Sequence, residues 1–135
     1  MTNKFDHKSL SLESNKKIVF TALSKKLFYF RMFICQFVLE KGYVPINPFM
    51  SFDYFVADLV DRDLVRGANN TLLARSDELW IFGGISNGVL AEIKIAKELK
   101  KTIKYFAIKN DKDIIGIDKE EAILEDDIKE FKSEL

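Results

Sequence analysis

Glu92 lies in the stretch SNGVLAEIKIAKELKK, four residues after Gly88 and six after Ser86. Wound as a helix at about 100° per residue, this stretch gathers Lys94, Lys97, Glu98 and Lys101 on one side. Gly88, Val89, Ile95, Ala96 and Leu99 fall on the other, with Glu92 in the middle of that apolar side. Burying an unpaired carboxylate is costly, so it must neutralise, find a donor or be kept for chemistry. Arg31 is a second charge in apolar company, flanked by Leu27, Phe28, Ile34, Cys35 and Val38. It is either a clamp for a phosphate or the counterion of Glu92.

The loop Gly83-Gly84-Ile85-Ser86-Asn87-Gly88 ends an apolar run and opens the Glu92 helix. Its glycines allow close backbone approach, and a helix N-terminus offers free N–H groups and a dipole that favours an anion. Ser86 and Asn87 suit either a plain helix cap or a hydrogen bond to phosphate. The loop is neither GxGxxG nor GxxxxGK[ST], and no GxSxG elbow is present. A phosphate of a small nucleotide is the natural guest.

His7 is the one histidine and stands in a polar N-terminal stretch, which removes a histidine-based zinc site and makes a Ser-His-Asp triad a poor fit. The carboxylates never gather at a recognised metal-ligand spacing. No metal and no cofactor are expected. Lysine plus arginine and aspartate plus glutamate number 21 each, which argues against a nucleic-acid binder. Lys94, Lys97, Lys100, Lys101 and Lys104 form either a basic patch or a solvated face. The single Cys35 allows no intrachain disulfide and fits a cytoplasmic protein. No apolar run reaches the roughly 18 residues of a membrane span.

The elements that must position these groups follow from pattern. In 135 residues, 47% hydrophobic and 31% charged, one domain with a real core is expected. Residues 1–16 read as a mobile tail, 17–118 as a nucleotide-binding α/β domain and 119–135 as an acidic amphipathic helix. KIVFTAL (17–23), YVPINP (43–48), DELWIFGG (77–84) and TIKYFAIK (102–109) read as strands, and DIIGID as a short fifth. Helices are expected over 25–41, over 52–75 with a split at Gly67, and after Ser86. The alternation implies a three-layer α/β/α, doubly wound (Rossmann or flavodoxin-like) parallel sheet of four or five strands. Ligands of such sheets sit at the strand carboxyl ends. Tyr29, Phe33 and Phe37 share the wet side of the first helix with Lys26, Gln36 and Glu40, and suggest either an oligomer contact or further core.

The segment SDELWIFGGISNGVLAEIKIAKELKKTIKYF resembles the nucleoside 2-deoxyribosyltransferase-like superfamily. Within that fold it is similar to a bacterial and phage family of uncharacterised proteins with a DELWVFG strand and an SxGxxxE helix start. The wider group includes nucleoside 2'-deoxyribosyltransferases and nucleoside 5'-monophosphate N-glycosidases. The resemblance spans roughly residues 17–108 and implies that Glu92, after Gly88, is the nucleophile on the sugar C1'. It implies that Ser86, a serine in the monophosphate hydrolases, binds the 5'-phosphate with Asn87, Gly88 and Gly84. Thr21 and Ala22 would line the sugar and phosphate. Those enzymes usually carry an aspartate eight residues before the acidic residue opening the third strand; here Asn69 stands there, eight before Asp77. An amide cannot exchange a proton as a carboxyl does, so catalysis is weak, relies on Asp58, Asp61 or Asp63 from the same segment, or is absent.

Three functions are therefore weighed. One is an N-glycosidase-like hydrolase of a nucleoside 5'-monophosphate. The next is a non-catalytic nucleotide-binding or sensor module of the same fold. The third is an oligomerising protein with Glu92 and Arg31 as a buried ion pair. The expected partner is a small-molecule nucleotide, with no membrane or nucleic acid, in a homo-oligomer, a dimer by preference.

Overall fold

The run IVFTAL forms β1 (Ile18–Leu23), whose residues from Val19 onward are all buried, as a central parallel strand requires. It is the core strand of a computed structural model that describes residues 3–52, 56, 58–110 and 113–135. A 3-10 helix (Lys25–Phe30) runs directly into α1 (Arg31–Glu40), and Gly42, at φ 88, turns the chain into β2 (Val44–Ile46). A short α2 (Pro48–Ser51) is capped by the Asn47 side chain. Then come α3 (Arg62–Arg75), β3 (Glu78–Phe82), α4 (Asn87–Glu98), β4 (Thr102–Lys109) and β5 (Asp113–Ile117).

The strand order is β2-β1-β3-β4-β5. The first four strands are parallel, with Phe20 beside Leu79 and Ile81 beside Tyr105, and β5 runs antiparallel on the edge. This is a doubly wound α/β/α arrangement of the Rossmann-like kind. Alternation along the strands splits the core in two. Val19, Leu23, Trp80 and Phe82 face Ile34 and Val38 of α1. Phe20, Ala22, Leu79 and Ile81 face Leu73 of α3 and Val89, Leu90, Ile93 and Ala96 of α4.

Several expectations are corrected. The first helix opens with a six-residue 3-10 stretch rather than an α-turn. Pro48 starts α2 instead of closing β2. Part of the expected 52–75 helix lies outside the described residues, and Gly67 does not split α3, which is continuous around it. Residues 119–135 are not an α-helix: they form 3-10 helices (Lys119–Glu121 and Asp126–Glu134) joined by extended chain. Ala122, Leu124, Ile128 and Leu135 bury into the α3/α4 layer, so this segment is part of the same core. Residues 3–17 are exposed, with one 3-10 turn at Lys8–Ser11 that His7 caps.

Candidate functional site

β1 and β3 are neighbours, and the chain leaves them in opposite directions, to β2 and to β4. Their carboxyl ends thus frame the crevice where doubly wound sheets hold ligands. The loop after β3 starts with Gly83 at φ 74, whose N–H donates to Phe106 O at 2.9 Å. Ser86 caps α4: its Oγ accepts from Val89 N at 3.3 Å, and its carbonyl accepts from Leu90 N. Asn87 and Gly88 are exposed in the first turn.

Glu92 is in the second turn of α4. The buried arc of the helix is Val89, Leu90, Ile93 and Ala96, while Gly88 and Leu99 are exposed. Glu92 therefore stands at the flank of the apolar face, not in its middle as the sequence suggested; Leu99 belongs to the helix end rather than its packed face. The side chain is partly accessible, yet burial pushes its carboxyl up to about 8. Among the described residues no cation or hydrogen-bond donor is paired with it. Arg31 is not its counterion. The guanidinium donates to Phe28 O at 3.0 Å and lies 4.0 Å over the Phe28 ring, on the α1 side of the sheet. The buried ion pair is thereby set aside.

Asn69 lies on the inner face of α3, one turn before Leu72 and Leu73. Helices α3 and α4 pack side by side. The Asn69 Oδ1 is buried without a donor, an acceptor left open on the helix that neighbours Glu92. Asp61 is spent on capping α3, Asp63 pairs with Arg66 at 2.9 Å, and Asp58 is exposed. None stands in for the missing carboxylate. Thr21 and Ala22 are completely buried within β1, and Thr21 donates its hydroxyl to Ile46 O. Neither offers a surface to a ligand.

What lines the crevice instead is a group that sequence reasoning missed. Ile85 N donates to Ile123 O at 2.9 Å, and Glu125 N donates to Ile85 O at 2.9 Å. The extended piece 122–125 thus lies along the loop after β3. Glu125 then reaches the end of β1, where Ser24 Oγ donates to its Oε2 at 2.9 Å and Lys26 Nζ stands 3.7 Å from its Oε1. Ser24, directly after the KIVFTAL run, was readable as a cap. Glu125 was not, because its partner is 101 residues away.

The surrounding surface is shallow. A cleft of about 210 Å³ touches Gly83 and Gly84 between Ala107, Lys109 and Ile123. A larger open hollow, about 560 Å³, lies over β4 and β5 near Tyr105 and Lys119, away from Glu92. The basic side chains of α4 are used internally: Lys94 meets Glu134 at 2.5 Å, and Lys97 donates to the carbonyls of Glu134 and Leu135. Beyond the helix, Lys101 donates to Ser76 O. No group of three or more His, Cys, Asp or Glu among the described residues could hold a metal ion. No described helix is long and apolar enough to cross a membrane.

These features define a class: a doubly wound α/β domain with an unpaired, desolvated carboxyl group in the second turn of the helix that follows β3. The chain belongs to the family described as a domain of unknown function, DUF7768, whose model matches residues 23–106. That span holds Asn69, Ser86 and Glu92 but not Glu125. Among curated proteins none matches the chain.

Proposed function

We propose that this chain cleaves the N-glycosidic bond of a nucleoside 5'-monophosphate, with Glu92 as the group that meets C1'. The observation that carries this is Glu92 itself: a partly accessible carboxyl without a cation, raised to about 8, in the second turn below a glycine loop. The likeness of Ser86-Asn87-Gly88 and Glu92 to the 2-deoxyribosyltransferase-like pattern supports the same assignment. In its ionised form Glu92 would bond to C1' as the C1'–N bond breaks. The base leaves with the bonding pair and takes a proton from water. A second water then hydrolyses the glycosyl ester, giving the sugar phosphate and restoring the carboxylate. Asn87 and Gly88 at the α4 N-terminus would hold the 5'-phosphate, together with the Ser86 hydroxyl proton.

The nucleophile must be ionised, so kcat/KM is expected to climb with pH and level off above about 8. Chromatography of a panel of ribo- and deoxyribonucleoside 5'-monophosphates tests the reading. The wild-type protein should release base and Glu92→Gln should not. Equal release by both proteins, or none by either after long incubation at high protein concentration, would overturn it.

One observation favours a second reading, a binding or sensor module without turnover. Where the enzymes it resembles carry an aspartate this chain has Asn69, and an amide cannot exchange a proton as a carboxyl does. A thermal shift with nucleotide but without base release would select it. In either reading we place the protein in the cytoplasm. The exposed Tyr29, Met32 and Phe33 beside α1 support contact between two copies. Phe37 is excluded from that face, since it packs edge-on against Trp80, Phe82 and Phe106.

A further inference from the structure

We infer that the corner formed by Ser24 and Lys26 is an anion subsite that the chain's own Glu125 occupies. Segment 119–135 thereby competes internally with a phosphate-bearing ligand. The inference rests on the reading above for the ligand class, and adds a second contact for the same phosphate, across the Ile85 loop from Asn87 and Gly88.

Three observations meet at one residue. Glu125 is tied by its backbone N–H to Ile85 in the loop after β3 and by its carboxylate to Ser24 after β1. It therefore spans the crevice between the two strand ends. The carboxylate also sits 3.7 Å from the Lys26 ammonium, so a hydroxyl donor and a cation converge on one pair of oxygens. A phosphate monoester presents the same acceptor oxygens with more charge, and can replace a carboxylate there. The segment that carries Glu125 is held firmly elsewhere. Leu124 and Ile128 are buried, and Glu134 and Leu135 are bound by Lys94 and Lys97. The part free to yield is the Glu125 side chain, about a quarter exposed at 24%. Rotating it into solvent frees the Ser24 hydroxyl and the already exposed Lys26 ammonium, while the backbone bonds to Ile85 stay in place.

A binding site that is filled internally shows an apparent affinity reduced by the fraction of time it is open. If Glu125 occupies the corner about nine-tenths of the time, removing it should tighten phosphate binding about tenfold. The experiment is isothermal titration of the full chain with inorganic phosphate and, separately, with a nucleoside 5'-monophosphate. Glu125→Ala should bind both several-fold more tightly than wild type, and Lys26→Ala should bind both more weakly. Glu125→Gln keeps the shape and loses the charge, and carries the test if the alanine variant does not fold. Unchanged or weaker binding in the folded Glu125 variants overturns the inference, as does no phosphate binding in any form. Tightening for the nucleotide alone would also overturn it, because the corner would then not recognise phosphate. Glu92→Gln separates the two proposals. If no form releases base yet Glu125→Ala still tightens phosphate, the glycosidase reading falls and the subsite stands.

Discussion

Glu92 holds its proton at neutral pH because desolvation acts on it with no nearby positive charge to oppose it. The consequence for stability has a definite sign. Below about pH 4.5 the carboxyl is protonated in both folded and unfolded chains and contributes nothing. Between there and about 8 the folded form keeps a proton that the unfolded form has released, so stability falls as pH rises. The loss is at most about 1.4 kcal/mol per pH unit, and it stops above the folded value of about 8. Glu92→Gln should remove this slope, so urea melts of the two proteins should diverge from pH 5 to 8, with the variant the more stable at the upper end. Parallel curves would mean that Glu92 is hydrated in solution. A second residue-scale expectation concerns Gly83 and Gly42, both at positive φ. A Cβ on Gly42 meets nothing, so Gly42→Ala should cost only the backbone strain, about 1 kcal/mol. A Cβ on Gly83 runs into Leu27 Cδ1 as well. Gly83→Ala should therefore cost more, about 2 kcal/mol, and urea unfolding of the two variants side by side checks the order.

Elements were legible where one physical cue dominated. IVFTAL and ELWIF stand out because a strand buried on both faces is mostly apolar, and both are strands. The α4 helix was legible in extent, from the Ser86 cap onward, but rotated in register: one wheel could not tell Leu90 and Ile93 from Gly88 and Leu99 as the packed side. The C-terminal segment was misread because its charges suggested a helical period. In AILE (122–125) the burial alternates instead, Ala122 and Leu124 inside and Ile123 out at 73% exposure, which is the period of an extended chain. Lys132 then folds back onto the carbonyls of Glu120 and Ala122, a contact no local pattern announces. The same limit applied to the site. Ser86 and Glu92 share one helix and were found together, whereas Arg31 was assigned across the sheet to a partner that lies on its other face.

At the scale of the whole molecule, the sheet separates two apolar layers, bridged at the strand ends where Glu125 meets Ser24 and Lys26. The α3/α4 layer carries Asn69, Glu92 and the C-terminal segment, and the α1 layer carries the aromatic cluster around Phe37. Trp80 belongs to the second layer, almost wholly buried, its Nε1 donating to Glu78 and its ring between Tyr43 and Phe106. It is also the only tryptophan in the chain. The protein therefore carries a single tryptophan reporter, which can be excited apart from its four tyrosines and which packs on the α1 side of the sheet. Nucleotide binding beside α4 should leave its emission maximum and its resistance to acrylamide quenching unchanged. Urea should shift the emission to the red at the same midpoint as the loss of far-ultraviolet dichroism. A fluorescence change on adding nucleotide would instead place the ligand against the aromatic cluster around Trp80. Silence in this channel, paired with heat in a calorimeter, would place the ligand clear of the Trp80 cluster without a label.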